Sequence, residues 1–306
     1  SIRSNAALFV GGDPELLDVC ERQSSYLSEG WNRSRTIEML DKARQYTLCQ
    51  QIASKTSIYL PKTWLPETWS EWSNLPSSGP LVVKPRWGAA SSARPAAGKL
   101  WVCATGEAAY ACARKHLQHP TGAIVQEVIE GPETAIHVCC LYRRSDGQFG
   151  SMMTAQKVRQ RPQGFGSAVC LETTDNARLR DIAREMSIAL GLTGLISFEW
   201  KVRGNKPVLI EINARAPQFA AVATEVILDA YADRADQPHR SPVVVPAGRA
   251  WRYSIRDIPR PGPAPKSAVD ALYASDDPWP GRLAVPYTAV VAVSSYFGRR
   301  HVHQSR

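Results

Sequence analysis

No stretch of this chain stays apolar for the ~18 residues that crossing a bilayer requires. The longest candidate, at 287–297, is short and interrupted, and the apolar residues at 6–10 are too few for the core of a signal peptide. With no targeting signal in view, the sequence predicts a cytoplasmic protein with no membrane partner. The seven cysteines, at 20, 49, 103, 112, 139, 140 and 170, are odd in number and form no C-x-x-C pair. That excludes a disulfide framework and a cysteine-built zinc site. Lys and Arg form no long block, and no zinc-finger or RNP-type motif is present, so a nucleic-acid partner is not expected. No internal repeat appears. Gly164-Phe165-Gly166-Ser167 lacks the pattern of a nucleophile elbow. His116 and His119 have no third ligand near them in sequence and are taken as a surface pair.

What is present is an ordinary globular composition, 44% hydrophobic and 21% charged, over 306 residues. This length can bury one large core or two to three smaller ones. The formal net charge of +9 favours anionic partners such as nucleotides, phosphates or acidic substrates.

Strand and helix signals alternate irregularly. Strands are predicted at 6–10, 81–85, 123–129, 135–142, 151–158, 195–201 and 208–213, and near 251–255. Helices are predicted at 14–29, 41–55, 105–119 and 218–232, with Thr105 as one N-cap. A further helix after Asp175 carries Leu179, Ile182, Ala183, Met186 and Leu190 at helical offsets and ends at Gly191. Gly131-Pro132 is expected to join two of the strands as a turn. Trp64, Trp69 and Trp72 are expected to pack against a neighbouring element. The mixture predicts an α+β fold rather than strict strand–helix alternation.

Chemistry concentrates in Val208-Leu209-Ile210-Glu211-Ile212-Asn213-Ala214-Arg215. Period two places Glu211, Asn213 and Arg215 on one face of a strand. Such alternation alone is also what a half-exposed strand shows. The preceding strand carries Glu199, and a hairpin centred on Gly204-Asn205 sets position 199 against 210 or 211. Facing carboxylates repel unless a cation lies between them. Glu199, Glu211 and Asn213 are hard oxygen donors, suited to Mg²⁺ held by few protein ligands plus substrate phosphates.

Lys42 and Lys84, at a helix start and a strand end, can neutralise polyphosphate oxygens. In Gln126-Glu127-Val128-Ile129-Glu130-Gly131-Pro132-Glu133 a strand edge can offer backbone groups to an adenine, and Glu133 can accept from ribose hydroxyls. An ordinary charged hairpin is the competing reading of that stretch.

In order, Asp41-Lys42, Val83-Lys84-Pro85, the 126–133 segment, Thr193-Gly194-Leu195-Ile196-Ser197-Phe198-Glu199 and Leu209–Arg215 resemble the ATP-grasp superfamily, over more than half the chain. Residues 157–167 are similar to the substrate-side segment of carbamoyl-phosphate-synthase-like predicted carboligases, and 276–280 resemble their C-terminal region more weakly. The resemblance implies two α+β subdomains clasping ATP, after a shortened N-terminal α/β domain. It divides the chain at 1–40, 41–122, 123–235 and a C-terminal extension at 236–306. It implies ATP and Mg²⁺, with Mn²⁺ as an alternative metal.

By the same resemblance, Lys42 and Lys84 contact phosphates, Gln126, Glu127 and Val128 border adenine, and Glu133 meets ribose. Glu199, Glu211 and Asn213 hold the metal. Arg215, and more distantly Arg159, steady the transferred phosphoryl group or acyl phosphate. Two departures stand out: residues 86–92 hold one glycine where the family has a glycine-rich loop, and the N-terminal domain is short.

The implied activity is a carboxylate–amine ligase working through an acyl phosphate on an amino acid or small acid. Carboxyphosphate chemistry and a non-catalytic nucleotide-binding protein stay open as alternatives. A homodimer is compatible with this reading.

Overall fold

The computed structural model describes residues 13–22, 32–87, 100–234, 238, 240–257, 262–265, 267–274, 279 and 282. The described part starts with the α-helices α1 (Asp13–Arg22), α2 (Arg33–Leu40) and α3 (Lys42–Ile52). It continues through β1 (Thr63–Trp64), α4 (Trp69–Ser73), β2 (Leu81–Pro85), β3 (Trp101–Cys103), α5 (Gly106–His116) and β4 (Ala123–Glu127). Then follow β5 (Ile136–Arg143), β6 (Phe149–Arg161), β7 (Ser167–Thr174), α6 (Ala177–Ala189), β8 (Gly194–Arg203) and β9 (Lys206–Asn213). The described part ends with α7 (Thr224–Arg234), β10 (Ala250–Arg252) and β11 (Val269–Asp270).

The strands form two sheets. The 4-stranded sheet has the order β1-β4-β2-β3, and the 7-stranded sheet the order β11-β10-β7-β6-β5-β8-β9. Period two sorts the large sheet's side chains. Cys139 and Leu141 of β5 and Ile196, Phe198 and Trp200 of β8 pack with Leu179, Ile182 and Met186 of α6 and Leu48 and Cys49 of α3. Val138 and Cys140 of β5 instead join Val226 and Ala230 of α7 and Trp251 of β10. The small sheet is lined by Val83 and Val125 against Ala109 and Ala113 of α5, and Trp72 is fully buried there, with Trp64 and Trp69 beside it.

Local signals set the element ends. Thr105 accepts from Ala108 N at 3.2 Å, as a Ser/Thr cap does. α6 is capped by Asn176, which accepts from Leu179 N at 3.1 Å, one residue after the expected Asp175. Gly191, at φ +63, follows the C-cap Leu190 where a left-handed backbone is needed.

Several expectations change. β4 and β5 do not form a hairpin, because they lie in different sheets. Val128 N donates to Pro80 O at 3.1 Å, holding the chain to the small sheet, and Gly131 at φ +121 then redirects it. Residues 128–132 are thus the crossing between the sheets. α2 went unpredicted since only Thr36, Met39 and Leu40 of this polar segment are buried. β7 went unpredicted too. The His116 ring stacks on Trp101, with centroids 5.0 Å apart. The boundary expected at 122–123 does not coincide with a sheet boundary, for β4 pairs with β2, and β10 and β11 complete the large sheet.

The expectations at 6–10, 23–29, 88–92, 276–278 and 287–297 lie outside the described residues. Among the described residues no helix is long and apolar enough to cross a membrane.

Candidate active site

β8 and β9 set Glu199 directly opposite Glu211, and Ser197 opposite Asn213. The ladder then jumps to Trp200 opposite Leu209, which leaves Ile210 as the extra residue of a β-bulge. The bulge explains a break in the alternation. Leu209 and Ile212, three apart, both join the core beneath the sheet, while Glu211 and Asn213 face away from it. It also frees the Ile210 carbonyl from the ladder. That oxygen accepts from Tyr46 Oη and, at 3.4 Å, from Lys84 Nζ.

α3 is stitched to the outer edge of β9. The Gln45 amide donates to Ile212 O at 2.8 Å and accepts from Ile212 N at 3.1 Å. Its N-cap Asp41 accepts from Ala43 N at 3.0 Å and takes a two-pronged contact from Arg86, both at 2.7 Å. These ties fix Lys42, the first helical residue, whose Nζ donates to Glu211 Oε1 at 2.5 Å. Lys84 arrives from β2 of the other sheet. Lys157 of β6 donates from Nζ to Glu199 Oε2 at 2.7 Å, with only 5% of its side chain exposed. Arg215 donates to Asn213 Oδ1 at 3.3 Å and forms an ion pair with Asp13 of α1 at 2.5 Å.

Four cationic side chains therefore converge on two carboxylates and an amide. Burial opposes ionisation of Glu211, yet Lys42, Lys84 and Arg215 together hold its carboxyl down to about 2. Burial lowers the Lys84 ammonium to about 8, the nearby Lys42 adding to the effect and Glu211 resisting it. Burial alone would lower Lys42 as well, but its contact with Glu211 outweighs this and raises it.

A carboxyl more acidic in the folded than in the unfolded chain stabilises the fold above its ordinary value near 4.5, and that contribution is lost as pH falls toward about 2. The nucleotide-free protein should therefore lose melting temperature over that interval. Glu211→Gln should show a flatter acid limb in a scan of melting temperature against pH. An unchanged limb would contradict the assignment.

The other residues singled out by sequence sit elsewhere. Gln126 is 1% exposed and donates to Thr63 Oγ1 at 2.9 Å. Glu127 accepts at Oε1 from Lys62 N at 3.1 Å, and Val128 N is taken by Pro80 O. The Ile129 N–H, next in the crossing, has no partner among the described residues. Glu133 accepts from Gln160 N at 3.2 Å and Gly164 N at 2.7 Å, tying the crossing to the β6–β7 turn. The Arg159 guanidinium is engaged by Asp257 at 2.7 Å and by the carbonyls of Pro263 and Gly262. No contact joins it to the carboxylate cluster among the described residues. Sequence reasoning missed Lys157, Tyr46, Gln45 and Asp13. Lys157 opens the segment noted as substrate-side, which was the one available signal for it.

Among the described residues no three His, Cys, Asp or Glu side chains gather as a metal cage. The facing Glu199 and Glu211, with Asn213, supply oxygen donors alone and too few to enclose an ion. That set fits Mg²⁺ completed by substrate phosphates and water.

The profile of the ATP-grasp domain matches residues 45–217, more than half of the chain. The chain belongs to the ATP-grasp family. No curated protein matches it by sequence. Among solved structures, N5-carboxyaminoimidazole ribonucleotide synthetase from Thermus thermophilus is similar with a TM-score of 0.57 at 13% identity, covering 78% of this chain and 63% of that one. N5-carboxyaminoimidazole synthase from Aspergillus clavatus, in complex with ADP and an aminoimidazole ribonucleotide, gives 0.57 at 12%, with 76% and 61% covered. Biotin carboxylase from Campylobacter jejuni gives 0.55 at 15%, with 75% and 53% covered.

Identities this low show the ATP-grasp fold alone, and the chain spans less than two thirds of each of these structures. ATP and magnesium are general to ATP-grasp enzymes, and the α+β class expected from sequence holds.

Proposed function

We propose that this ATP-grasp chain is an ADP-forming carboxylate–amine ligase. The observation that carries the reading is the convergence of Lys42, Lys84, Lys157 and Arg215 on Glu199, Glu211 and Asn213. Lys84 comes from one sheet and the rest from elements packed on the other, so the phosphate-binding charge is drawn from both sheets. A substrate carboxylate oxygen attacks the γ-phosphorus of ATP, the bond to the β,γ-bridging oxygen breaks, and ADP leaves. The amine nitrogen then attacks the acyl carbon of the acyl phosphate. Inorganic phosphate departs, and the nitrogen loses a proton.

In this scheme Lys42, Lys84 and Arg215 spread the charge of the transferring phosphoryl group. Glu199, Glu211 and Asn213 would hold magnesium, which when bound supplies Lewis-acid neutralisation of phosphate oxygens. In this reading the backbone of 126–129 borders the base, and Glu133, just after the crossing, meets the ribose. Arg159 acts on the substrate side by anchoring Asp257, Gly262 and Pro263. Positioning does most of the work, so no protein nucleophile is required. The substrates are a small carboxylic acid and an amine, and the setting is the cytoplasm.

A second reading, carboxyphosphate formation, draws on likeness to the carboxyaminoimidazole ribonucleotide synthetase and biotin carboxylase structures. ADP formation in bicarbonate-depleted buffer separates the two. The ligase should need an organic acid, tried as amino-acid mixtures, and should yield a hydroxamate when hydroxylamine replaces the amine. Strict dependence on bicarbonate, with no hydroxamate from any acid, would favour the second reading.

A further inference from the structure

Each carboxylate of the candidate metal site already has an ammonium on it. Lys42 Nζ lies 2.5 Å from Glu211 Oε1, and Lys157 Nζ lies 2.7 Å from Glu199 Oε2. Both lysines are sheltered, with 16% and 5% of their side chains exposed. We propose that Lys42 and Lys157 are resident counter-ions that pass from Glu211 and Glu199 to nucleotide phosphate on binding, so that the site accepts a divalent cation as a nucleotide chelate and not as the free ion. This rests on the nucleotide site proposed above and names the form in which its ligand enters.

The charge balance carries the argument. Lys42, Lys84, Lys157 and Arg215 face Glu199, Glu211 and Asp13, so the cluster already holds an excess of positive charge. A free divalent ion would add to that excess. It would also have to break two charge-assisted hydrogen bonds and leave two sheltered ammoniums without an acceptor, which is costly. A triphosphate reverses both terms. Its oxygens bring negative charge and give each displaced ammonium a new acceptor. The carboxylates become free for the metal at the moment the lysines leave them.

Lys157 thereby becomes a positioning residue for the phosphates. Its place on β6, two strands from Glu199 across β5, orients the ammonium over the same sheet face as the two carboxylates. The helix start at Lys42 and the Asp41–Arg86 pair hold the other ammonium from the opposite side.

Electron paramagnetic resonance of Mn²⁺ with the full chain tests this without turnover. In wild type without nucleotide, free Mn²⁺ signal should persist, showing no site tighter than about millimolar, the weak end of protein sites for hard divalent ions. With the β,γ-methylene analogue of ATP, a protein-bound Mn²⁺ spectrum should appear. The double variant Lys42→Met, Lys157→Met should bind Mn²⁺ without nucleotide at least about tenfold more tightly than wild type, about 1.4 kcal/mol. If that variant fails to fold by circular dichroism, Lys42→Met alone carries the comparison.

Tight Mn²⁺ binding by nucleotide-free wild type, or no gain in the variant, overturns the exchange while the ligase site stands. Absence of bound Mn²⁺ even with the analogue removes the exchange together with the site it rests on.

Discussion

Glu211→Gln is expected to lower magnesium-dependent ATP turnover by about a hundredfold or more, the usual loss when a group stabilising transferring charge is removed. The substitution keeps the side-chain shape, so β9, its bulge at Ile210 and the Gln45–Ile212 bonds remain in place. What disappears is a carboxylate facing Glu199 and flanked by Lys42, Lys84 and Arg215. Asn213→Ala should give a comparable loss without disturbing the Lys42–Glu211 pair, and so separates metal binding from that pair's effect on stability. Steady-state ADP release at varied magnesium reads both. Near wild-type turnover in the two variants would sink the metal assignment.

The second large effect is expected at Lys84. Lys84→Ala should weaken ATP binding by about ten- to a hundredfold, the value of one charge-assisted contact. Lys84 donates to Ile210 O at 3.4 Å, a neutral carbonyl, which leaves its charge available for a phosphate. Its ammonium, lowered to about 8 in the free protein, carries its proton at neutral pH. Phosphate would hold that proton on in the complex. Affinity in wild type should therefore be flat below about 8 and fall above it, because the free protein sheds a proton that the complex retains. The variant should lack this alkaline fall. Equal affinity in wild type and variant, or the same fall in both, would contradict the assignment.

Much of the candidate metal face, the pairing of β8 with β9, could be read from the chain because it is local. A two-residue turn at Gly204-Asn205 and strict alternation suffice to bring position 199 to 210 or 211. The choice of 211 depends on the bulge, which no residue in 208–213 announces. Pairings distant in sequence were invisible: Lys157 reaches Glu199 across an intervening strand, and Arg215 reaches Asp13 from the far end of the chain. Arg159 carried the charge expected of a phosphate contact, but the fold supplies Asp257 as its partner. The sequence showed a strand break at Gly131-Pro132 and took it for a hairpin turn. Only the small sheet's claim on β4 makes it a crossing. α2 stayed hidden because so few of its residues are buried.

The central claim, that this ATP-grasp chain binds ATP between its two sheets through Lys42, Lys84 and the Glu211 face, is tested most directly by isothermal titration calorimetry. ATP with magnesium should bind the wild-type chain at one site, and the heat should shrink or vanish in a Lys42→Ala, Lys84→Ala double variant that still melts cooperatively. No binding of ATP or ADP to wild type, or unchanged binding in the double variant, would contradict it.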